Sequence, residues 1–441
     1  MAKIAMIGGG SYGWMPVIVS DMVMAPELGD SEIVLMDMDP KTLTLTGPMA
    51  KKYAEKAGSK LRFRTTTSYE DALRDADYVV ITISTGGLEA MRVDLEVPEK
   101  YGIYQTVGDT VGPGGWARAL RNVPVFQDLA RKMERYCPKA WMLNCSNPLT
   151  TLTRAVCRET SVKAVGLCHG VAGFMQSLKP LLGFDSMKDV DYVSSGIDHC
   201  GWLLRITVKG QDGFEILRKR GLGPGGKATV TIESIDQFIP NEHIRVAFLI
   251  FAEIGYLPTI GDRHIVEFFP HFLTDLKLMK RLGIKRTSIE DRIKGRQSAK
   301  ERIQRVLGGK EEIKLHKSRD VVLEFVLAHM GKGEQNIIQN TPNVGQIPNL
   351  PAGAIVDTRC CVNAGGIEPL GTGPLPPVLK TIVEPHLIRQ EMCIDAALTG
   401  DRQTALAALV TEPLVLDMTT ARKLGEELLA GNRKYLPAFF K

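Results

Sequence analysis

The first residues of the chain contain the feature that most restricts its fold, a glycine-rich turn between a strand and a helix. An apolar run at residues 3–7 leads directly into GGGSYG at residues 8–13, which fits the pattern G-x-G-x-x-G. A helix is predicted to follow, and the next apolar run, at residues 32–37, ends in an aspartate. Strand, glycine turn, helix, strand and terminal acid are together typical of the first half of a doubly wound parallel sheet.

This arrangement predicts a binding site for a dinucleotide cofactor. The glycines of such a turn let the backbone approach a pyrophosphate at a helix N-terminus, and the acid that ends the second strand binds the ribose hydroxyls. A continuously apolar, β-branched run at residues 75–84 predicts another buried strand, and the residues after it would face the same cofactor. The predicted cofactor-binding residues are Gly8, Gly10, Ser11, Gly13, Asp37, Thr85 and Gly86.

The rest of the chain predicts two domains. Apolar runs at residues 141–148 and 163–170 extend the parallel sheet, and each ends in polar or reactive residues, where open α/β sheets bind ligands. After about residue 190 the pattern changes to mixed strands and long amphipathic helices. We therefore predict an α/β protein. A Rossmann-type doubly wound parallel sheet domain, similar to the fold of lactate and malate dehydrogenases, covers residues 1–190, and a mixed α+β domain covers residues 191–441.

Composition argues against several classes of partner. The 55 Lys and Arg residues exceed the 50 Asp and Glu residues by a small margin, and no dense basic cluster is present, which argues against nucleic acid. No apolar stretch reaches the roughly 18–20 residues that span a bilayer, which argues against membrane insertion. The N-terminus lacks a signal-peptide pattern, and the eight cysteines form no C-x-x-C pair. We therefore expect a cytoplasmic protein with free thiols.

Two loop ends carry residues that could hold a metal. The strand predicted at residues 163–170 ends in Cys168-His169-Gly170, and Asp198-His199 lies about thirty residues beyond. A thiolate and an imidazole at two loop ends can jointly hold a divalent transition metal. Isolated cysteines and histidines are more often packing residues, so the spacing alone leaves both interpretations open.

Eight motifs, in order, extend over nearly the whole chain. They are GGGSYG (8–13), TGGLEAMRVDLEVPEKYGI (85–103), GDTVGPGG (108–115), NCSNP (144–148), CHG (168–170), GIDHCGW (196–202), GYLPTIGDRH (255–264) and NVGQIPNLP (343–351). With these motifs the sequence resembles glycoside hydrolase family 4, the NAD- and manganese-dependent glycosidases. Within that family, residues 101–115 and 261–270 are most similar to the α-galacturonidase branch and its α-glucuronidase relatives.

The resemblance implies an unusual way of cleaving a glycosidic bond. Most glycosidases use two carboxylates, whereas this NAD-dependent family is an exception. The implied mechanism is redox elimination on α-glycosides of hexuronic acids: oxidation at C3 by NAD⁺, deprotonation at C2, elimination of the aglycone, addition of water, and re-reduction. A divalent metal, Mn²⁺ or another, is implied as a Lewis acid on the sugar oxygens. A homodimer or homotetramer is also implied.

The resemblance assigns roles to residues at matching positions. Cys168 and His199 match the metal ligands, Asp109 matches the acid at the leaving group, and Asp262 is the predicted base, although some family members use a tyrosine in this region. Asp198 departs from the commoner Asn-His form of the second metal motif. The predicted substrate contacts are Asn147, Arg92, His169, Arg263 and His264.

Other activities stay open at this stage. An α-glucosidase or α-glucuronidase of the same family would carry the same motifs. A plain NAD-dependent 2-hydroxy acid dehydrogenase would need a catalytic His–Asp pair, for which Asp198 and His199 are candidates, and an arginine to hold the substrate. A non-catalytic nucleotide sensor would leave the Cys168 and His199 motifs without a purpose. Net production of NADH discriminates the dehydrogenase from the glycosidase.

Overall fold

The computed structural model describes residues 1–225, 230–318, 321–333 and 336–441. Within these ranges all strands belong to one sheet. The strands are β1 (Lys3–Ile7), β2 (Glu32–Met36), β3 (Arg62–Thr66), β4 (Tyr78–Ile81), β5 (Trp141–Asn144), β6 (Lys163–Gly166), β7 (Val190–Ile197), β8 (Cys200–Val208), β9 (Gln211–Asp212), β10 (Leu257–Pro258), β11 (Asn336–Pro342), β12 (Ile355–Asn363) and β13 (Gly366–Pro369).

Helices pack on both faces of this sheet. They are α1 (Trp14–Val23), α2 (Pro40–Ala57), α3 (Tyr69–Leu73), α4 (Gly87–Glu99), α5 (Gly112–Tyr136), α6 (Leu149–Glu159), α7 (Gly170–Ser177), α8 (Lys179–Leu182), α9 (Gly213–Lys219), α10 (Ile235–Phe238), α11 (Arg245–Ile254), α12 (Asp262–Ile265), α13 (Leu276–Leu282), α14 (Ile289–Leu307), α15 (Val322–His329), α16 (Pro377–Thr399), α17 (Arg402–Val410) and α18 (Met418–Gly431).

The first six strands confirm the predicted fold class. They lie in the order β3-β2-β1-β4-β5-β6, and each neighbouring pair is parallel. This is the strand order of a Rossmann sheet, whose binding crevice lies where the order reverses, beside β1 and β4. The central strands are buried on both faces, since every residue of β4 is buried and the long helix α5 covers one face.

The second half of the chain continues the same sheet. β11 lies beside β6 in the antiparallel direction, through Asn340 opposite Gly166, and β12, β7, β8 and β10 follow outward. The predicted boundary at residue 190 falls at the start of β7. From this residue onward the strands pair in the antiparallel direction. The sheet itself continues from the first half of the chain into the second without a break. C-terminal helices also return to the first half, where α16 packs on α5 and α18 packs on α4.

Local predictions match the structure unevenly. The amphipathic patterns at residues 243–256 and 318–330 correspond to α11 and α15, except that residues 319–320 lie outside the described ranges. The Pro- and Gly-rich composition of residues 340–380 favours irregular loops and short strands, yet this segment contains the nine-residue strand β12. No helix in the described ranges is long and apolar enough to cross a membrane. None of the eight cysteines, all in those ranges, forms a disulfide.

Candidate active site

A cluster of ionisable side chains lies at the loop ends between the two halves of the sheet. Three loops and one short helix supply it: the turn after β6, the β7–β8 turn, the loop before α5, and the helix α12. Two overlapping triads have ligand atoms within 4.8 Å of one another. We call their union the metal cluster; it consists of Asp109, Cys168, Asp198, His199 and His264.

The β7–β8 turn presents His199 to Cys168. Ile197 pairs with Cys200 across the hairpin, so Asp198 and His199 form a two-residue turn, and His199 has a positive φ of 62°. A non-glycine residue in this left-handed region is uncommon and is held there by its surroundings. Nε2 of His199 lies 3.6 Å from Sγ of Cys168. The predicted meeting of these two residues is therefore found in the structure, and their role as metal ligands stays a proposal.

A hydroxyl fixes the tautomer of His199. Thr110 Oγ1 donates to Asp109 Oδ1 at 2.9 Å and lies 2.8 Å from Nδ1 of His199. Because a hydroxyl has a single hydrogen, Nδ1–H of His199 must be the donor to Thr110. This leaves Nε2 unprotonated and turned toward Cys168, which is the form that binds a metal.

The charges of the metal cluster suit a divalent cation. Burial lowers the pKa of His199 to about 4 and that of His264 to about 3, so both rings are neutral. Burial raises the pKa of Asp198 to about 6, and burial followed by the Asp198 charge raises the pKa of the Cys168 thiol well above its usual value. A divalent cation would favour the ionised form of both acids.

Two unsatisfied groups give an independent test of that fit. Neither oxygen of Asp198, which is 1% exposed, meets a donor with hydrogen-bond geometry in the described ranges, and the same holds for Nδ1 of His264. Buried polar atoms without partners are costly unless a ligand satisfies them. A thiol, two imidazoles and two carboxylates are a donor set that suits a divalent transition metal. The residues present therefore fit the group that the sequence motifs imply.

Asp109 belongs to the cluster as an ionised group. Although burial alone would raise its pKa, the positive charge of Arg118 lowers it below the usual range for the carboxyl, and Thr110 Oγ1 donates to its Oδ1 at 2.9 Å. Glu267 holds the loop in place, because its Oε1 accepts from the N–H groups of Val107 and Gly108 at 2.8 Å each. An ionised carboxylate does not suit the predicted role of proton donor to the leaving group.

Asp262 lies outside the metal cluster and serves as a helix cap. It is 3% exposed, and its two oxygens accept from the N–H groups of Val246 at 2.7 Å and Ala247 at 2.9 Å, in the first turn of α11. A carboxylate at a helix N-terminus satisfies donors that have no partner within the helix. This geometry does not support the prediction that Asp262 is the catalytic base, since a base must reach the proton it removes. Sequence could not separate the two roles because both need an acid in this loop.

Replacing Asp262 with asparagine is therefore expected to affect stability. The amide has one oxygen acceptor, whereas the N–H groups of Val246 and Ala247 each need an acceptor. The free energy of unfolding should therefore fall by about 1–3 kcal/mol. Asp401→Asn is the matched control, because Asp401 caps α17 through Gln403 and Thr404 at an exposed site. Denaturant unfolding measures the difference. If Asp262→Asn keeps the wild-type free energy of unfolding but loses turnover, the assignment of Asp262 as the base would be restored.

The predicted substrate contacts divide into two groups. His264 belongs to the metal cluster, and Arg263 is adjacent to it on α12. The backbone oxygen of Asn147 accepts from Arg118 Nε at 2.9 Å. His169 is exposed at the start of α7, next to Cys168. Arg92 is a different case. It pairs with Glu96 and Glu290 on the outer side of α4, so the prediction that it binds substrate is not supported.

All predicted cofactor-binding residues line one cleft. Its volume is about 860 Å³, and it runs along the carboxyl ends of β1, β2 and β4. We call it the cofactor cleft. From the predicted set it contains Gly8, Gly10, Ser11, Gly13, Asp37, Thr85 and Gly86.

The glycine turn explains why the cleft accepts a large ligand. A Cβ on Gly10 would lie 2.6 Å from Oδ2 of Asp37, and one on Gly8 would lie 2.7 Å from Oγ1 of Thr82, so neither position tolerates a side chain. Asp37 accepts from the N–H groups of Gly10 and Asp39 at 3.0 Å each, which ties the glycine turn to the end of β2. Backbone and acid are therefore fixed in the positions that a dinucleotide needs.

Sequence reasoning missed the contribution of α14 to this cleft. Asp291, Arg292, Gly295 and Arg296 line its far wall, and the Arg296 guanidinium lies 6.0 Å from the ring centroid of Tyr12. These residues come from the second half of the chain, in a highly charged helix whose pattern resembles any solvated surface helix. Arg118, beside Asp109, was missed for a similar reason, since one arginine in a long helix carries no signal of its own.

Comparison with known proteins places the chain in a family. Residues 3–184 match the family described as "Family 4 glycosyl hydrolase", and residues 194–415 match its C-terminal domain. An α-galacturonidase of Lachnoclostridium phytofermentans is 34% identical, with 99% of this chain and 97% of that protein covered. An α-galacturonidase of Bacillus subtilis is 32% identical, with 97% and 96% covered.

Solved structures agree on the fold. The 6-phospho-β-glucosidase of Thermotoga maritima, solved with manganese, NAD⁺ and glucose-6-phosphate, has a TM-score of 0.80 at 22% identity and covers 98% of this chain and 99% of its own. Malate dehydrogenase of Plasmodium falciparum has a TM-score of 0.51 at 14% identity, over 90% of this chain and 99% of its own. At such identities these two likenesses concern the fold alone. Because both halves of its sequence match this family, the chain belongs to glycosyl hydrolase family 4 and is a glycosidase.

Proposed function

We propose that this glycosidase hydrolyses α-glycosides of hexuronic acids, with an α-galacturonide as its best substrate. The proposal is supported by the presence of both the metal cluster and the cofactor cleft in a chain 34% identical over its length to an α-galacturonidase. An α-glucuronidase or α-glucosidase of the same family is the alternative. The 2-hydroxy acid dehydrogenase is set aside, because the chain shares with malate dehydrogenase only the fold.

The cofactor cleft would hold NAD. Support comes from the Thermotoga enzyme, whose structure contains NAD⁺, and from the fit of the glycine turn. Gly8, Gly10, Ser11 and Gly13 would contact the pyrophosphate, and Asp37 the ribose hydroxyls. Thr85 and Gly86 would lie along the same ligand. When bound, NAD⁺ supplies a hydride acceptor, which no side chain of the protein can supply.

The metal cluster would hold Mn²⁺ or another divalent cation, as manganese is present in the Thermotoga enzyme. Cys168 and His199 are the proposed principal ligands, and Asp198 and His264 bring the unsatisfied polar atoms. When bound, the cation supplies a Lewis acid for the sugar oxygens. Thr110 keeps His199 in the tautomer that this role requires.

The reaction that we propose is redox elimination, in which a hydrogen leaves C3, a proton leaves C2, the aglycone departs, water adds and the hydrogen returns. The part of the protein is to orient the sugar and to accept the C2 proton. We assign the second task to Asp109, in place of Asp262, because Asp109 is an ionised carboxylate at the metal cluster. Asn147 would bind a sugar hydroxyl from the loop that Arg118 holds.

A panel of aryl glycosides tests the proposed substrate class. With NAD⁺, Mn²⁺ and a thiol reductant present, the aryl α-galacturonide is expected to release its aglycone with a higher kcat/KM than the α-glucuronide, the α-galactoside or the α-glucoside. Preference for a neutral hexoside would overturn the uronide assignment and leave the assignment as a glycosidase intact.

A homo-oligomer remains a prediction from the sequence resemblance.

A further inference from the structure

Helix α14 is anchored near its two ends and has no buried residue between them. Ile289, at its start, is buried against Met91 and Leu95 of α4. Ile303 and Val306, near its end, are buried in a core that also contains residues of α2. A surface helix usually buries a residue every three or four positions, whereas none of residues 290–302, more than three turns, is buried. The middle of α14 therefore runs from α4 to α2 without support from the core.

This middle part of α14 crosses the cofactor cleft. The residues of α14 that line the cleft are Asp291, Arg292, Gly295, Arg296 and Ala299. Their spacing places them on one face of the helix. The Arg296 guanidinium lies over the ring of Tyr12, which belongs to the glycine turn. Helix α14 therefore faces the turn that would hold the pyrophosphate.

Gly295 lies in the middle of that face. A glycine inside a helix lowers stability relative to alanine, so its presence calls for a physical reason. Apart from its chain neighbours and the backbone of the helix itself, nothing in the described ranges lies within 4 Å of the position that a Cβ would take. Packing within the protein therefore does not require a glycine here. A ligand that approaches the helix backbone would require one.

The charge of Arg296 is also unbalanced by any carboxylate. Within the described ranges Arg296 forms no ion pair, whereas Arg302 and Arg305, later in the same helix, both pair with Glu311. Asp291, the one acid of α14 in the lining of the cleft, lies in the first turn of the helix. A guanidinium that faces an open cleft in this way suits a phosphate anion.

We propose that α14 forms the outer wall of the dinucleotide site, where Arg296 binds the pyrophosphate and Gly295 lets the ligand contact the helix backbone. This inference rests on the proposed function, which assigns NAD to the cofactor cleft. The glycine turn supplies N–H donors from one side of the pyrophosphate, and the guanidinium supplies charged donors from the other. The second half of the chain thus contributes to the affinity for a cofactor that the first half recognises.

Titration with NAD⁺, after bound nucleotide has been removed from the protein, tests the role of Arg296. In Arg296→Gln the dissociation constant of NAD⁺ is expected to rise by about 10- to 100-fold, the cost of a hydrogen bond to a charged group. ADP-ribose, which keeps the pyrophosphate, should lose affinity by the same factor, and adenosine, which lacks it, should bind as it does to the wild type. Arg302→Gln is the matched control, because Arg302 lies on the same helix outside the cleft.

Replacing Gly295 with leucine tests the close approach of the ligand. Leucine is a better helix former than glycine and the position is open, so the melting temperature of the NAD-free protein should stay the same or rise. The dissociation constant of NAD⁺ should nevertheless rise by a factor similar to that of Arg296→Gln, because the side chain occupies the space of the ligand. Gln297→Leu, on the opposite face of α14, is the matched control and should bind NAD⁺ as the wild type does.

The alternative outcomes are distinct. Wild-type affinity for NAD⁺ in both Arg296→Gln and Gly295→Leu would overturn the inference and leave NAD assigned to the cleft. Adenosine binding weakened by the same factor as NAD⁺ binding would place Arg296 at the adenosine end and overturn the pyrophosphate contact. Weaker binding with a lower melting temperature of the NAD-free variants would overturn the inference in favour of a structural role. A wild type that does not bind NAD⁺ refutes the proposed function, and this inference with it.

Discussion

Replacing Cys168 with serine is expected to remove most binding of Mn²⁺. The thiolate is the softest donor of the metal cluster, and its Sγ lies 3.6 Å from Nε2 of His199, close enough for both to contact one cation. A neutral hydroxyl cannot replace it. Loss of a residue that only supports a metal ligand already weakens metal binding by about 10- to 100-fold, so loss of the ligand itself should raise the dissociation constant for Mn²⁺ at least about 100-fold. Isothermal titration with Mn²⁺ measures the change.

A second cysteine provides the control. Cys157 is half-buried on α6, its Sγ donates to the backbone oxygen of Ala164, and burial raises its pKa to about 11. Cys157→Ser should bind Mn²⁺ as the wild type does. Cys168→Ser with wild-type Mn²⁺ affinity would show that the metal cluster is not the metal site.

Replacing Asp109 with asparagine is expected to slow turnover of every glycoside by at least about 100-fold, the usual contribution of a general base. The reason is that, in the reaction that we propose, C2 deprotonation precedes departure of the aglycone, whatever that aglycone is. Mn²⁺ affinity should change much less than in Cys168→Ser, because the principal ligands remain. Parallel kinetics with an activated aryl aglycone and an alkyl aglycone measure the effect.

Those two substrates also separate the two roles considered for Asp109, which are the leaving-group acid predicted from the sequence and the C2 base that we propose. An acid at the leaving group matters little for an activated aryl aglycone, which departs without a proton, and matters greatly for an alkyl one. In D₂O the wild-type product should carry deuterium at C2, and Asp109→Asn should lose this exchange. Normal exchange at C2, with only the alkyl glycoside slowed, would return Asp109 to the role of acid.

The cofactor cleft could be predicted from the sequence because its signal is local. The glycine turn at residues 8–13 and Asp37 at the end of β2 lie within one strand–helix–strand unit, and their backbone requirements admit few alternatives. The fold class follows from the same unit. The pairing of Cys168 with His199 was also predicted, but from the family motifs, since spacing alone did not decide it.

The site predictions that the geometry does not support concern residues with distant partners. Asp262 and Arg92 lie in family motifs, yet one caps α11 and the other pairs with Glu290, contacts that no local pattern reveals. In the sequence, Asp198 stands out as a departure from the usual motif and as a candidate for a dehydrogenase His–Asp pair, but its unsatisfied oxygens are visible only in the structure.

In the reaction that we propose, one molecule of NAD⁺ serves many turnovers of a hydrolysis. Aglycone release from an aryl α-galacturonide and NADH absorbance can be followed in the same cuvette, with the enzyme, Mn²⁺ and NAD⁺ present. We expect steady aglycone release that requires NAD⁺ and Mn²⁺, while the NADH absorbance stays flat, because the hydrogen that leaves C3 returns to it. NADH accumulating in proportion to product would refute redox elimination and identify a net oxidation.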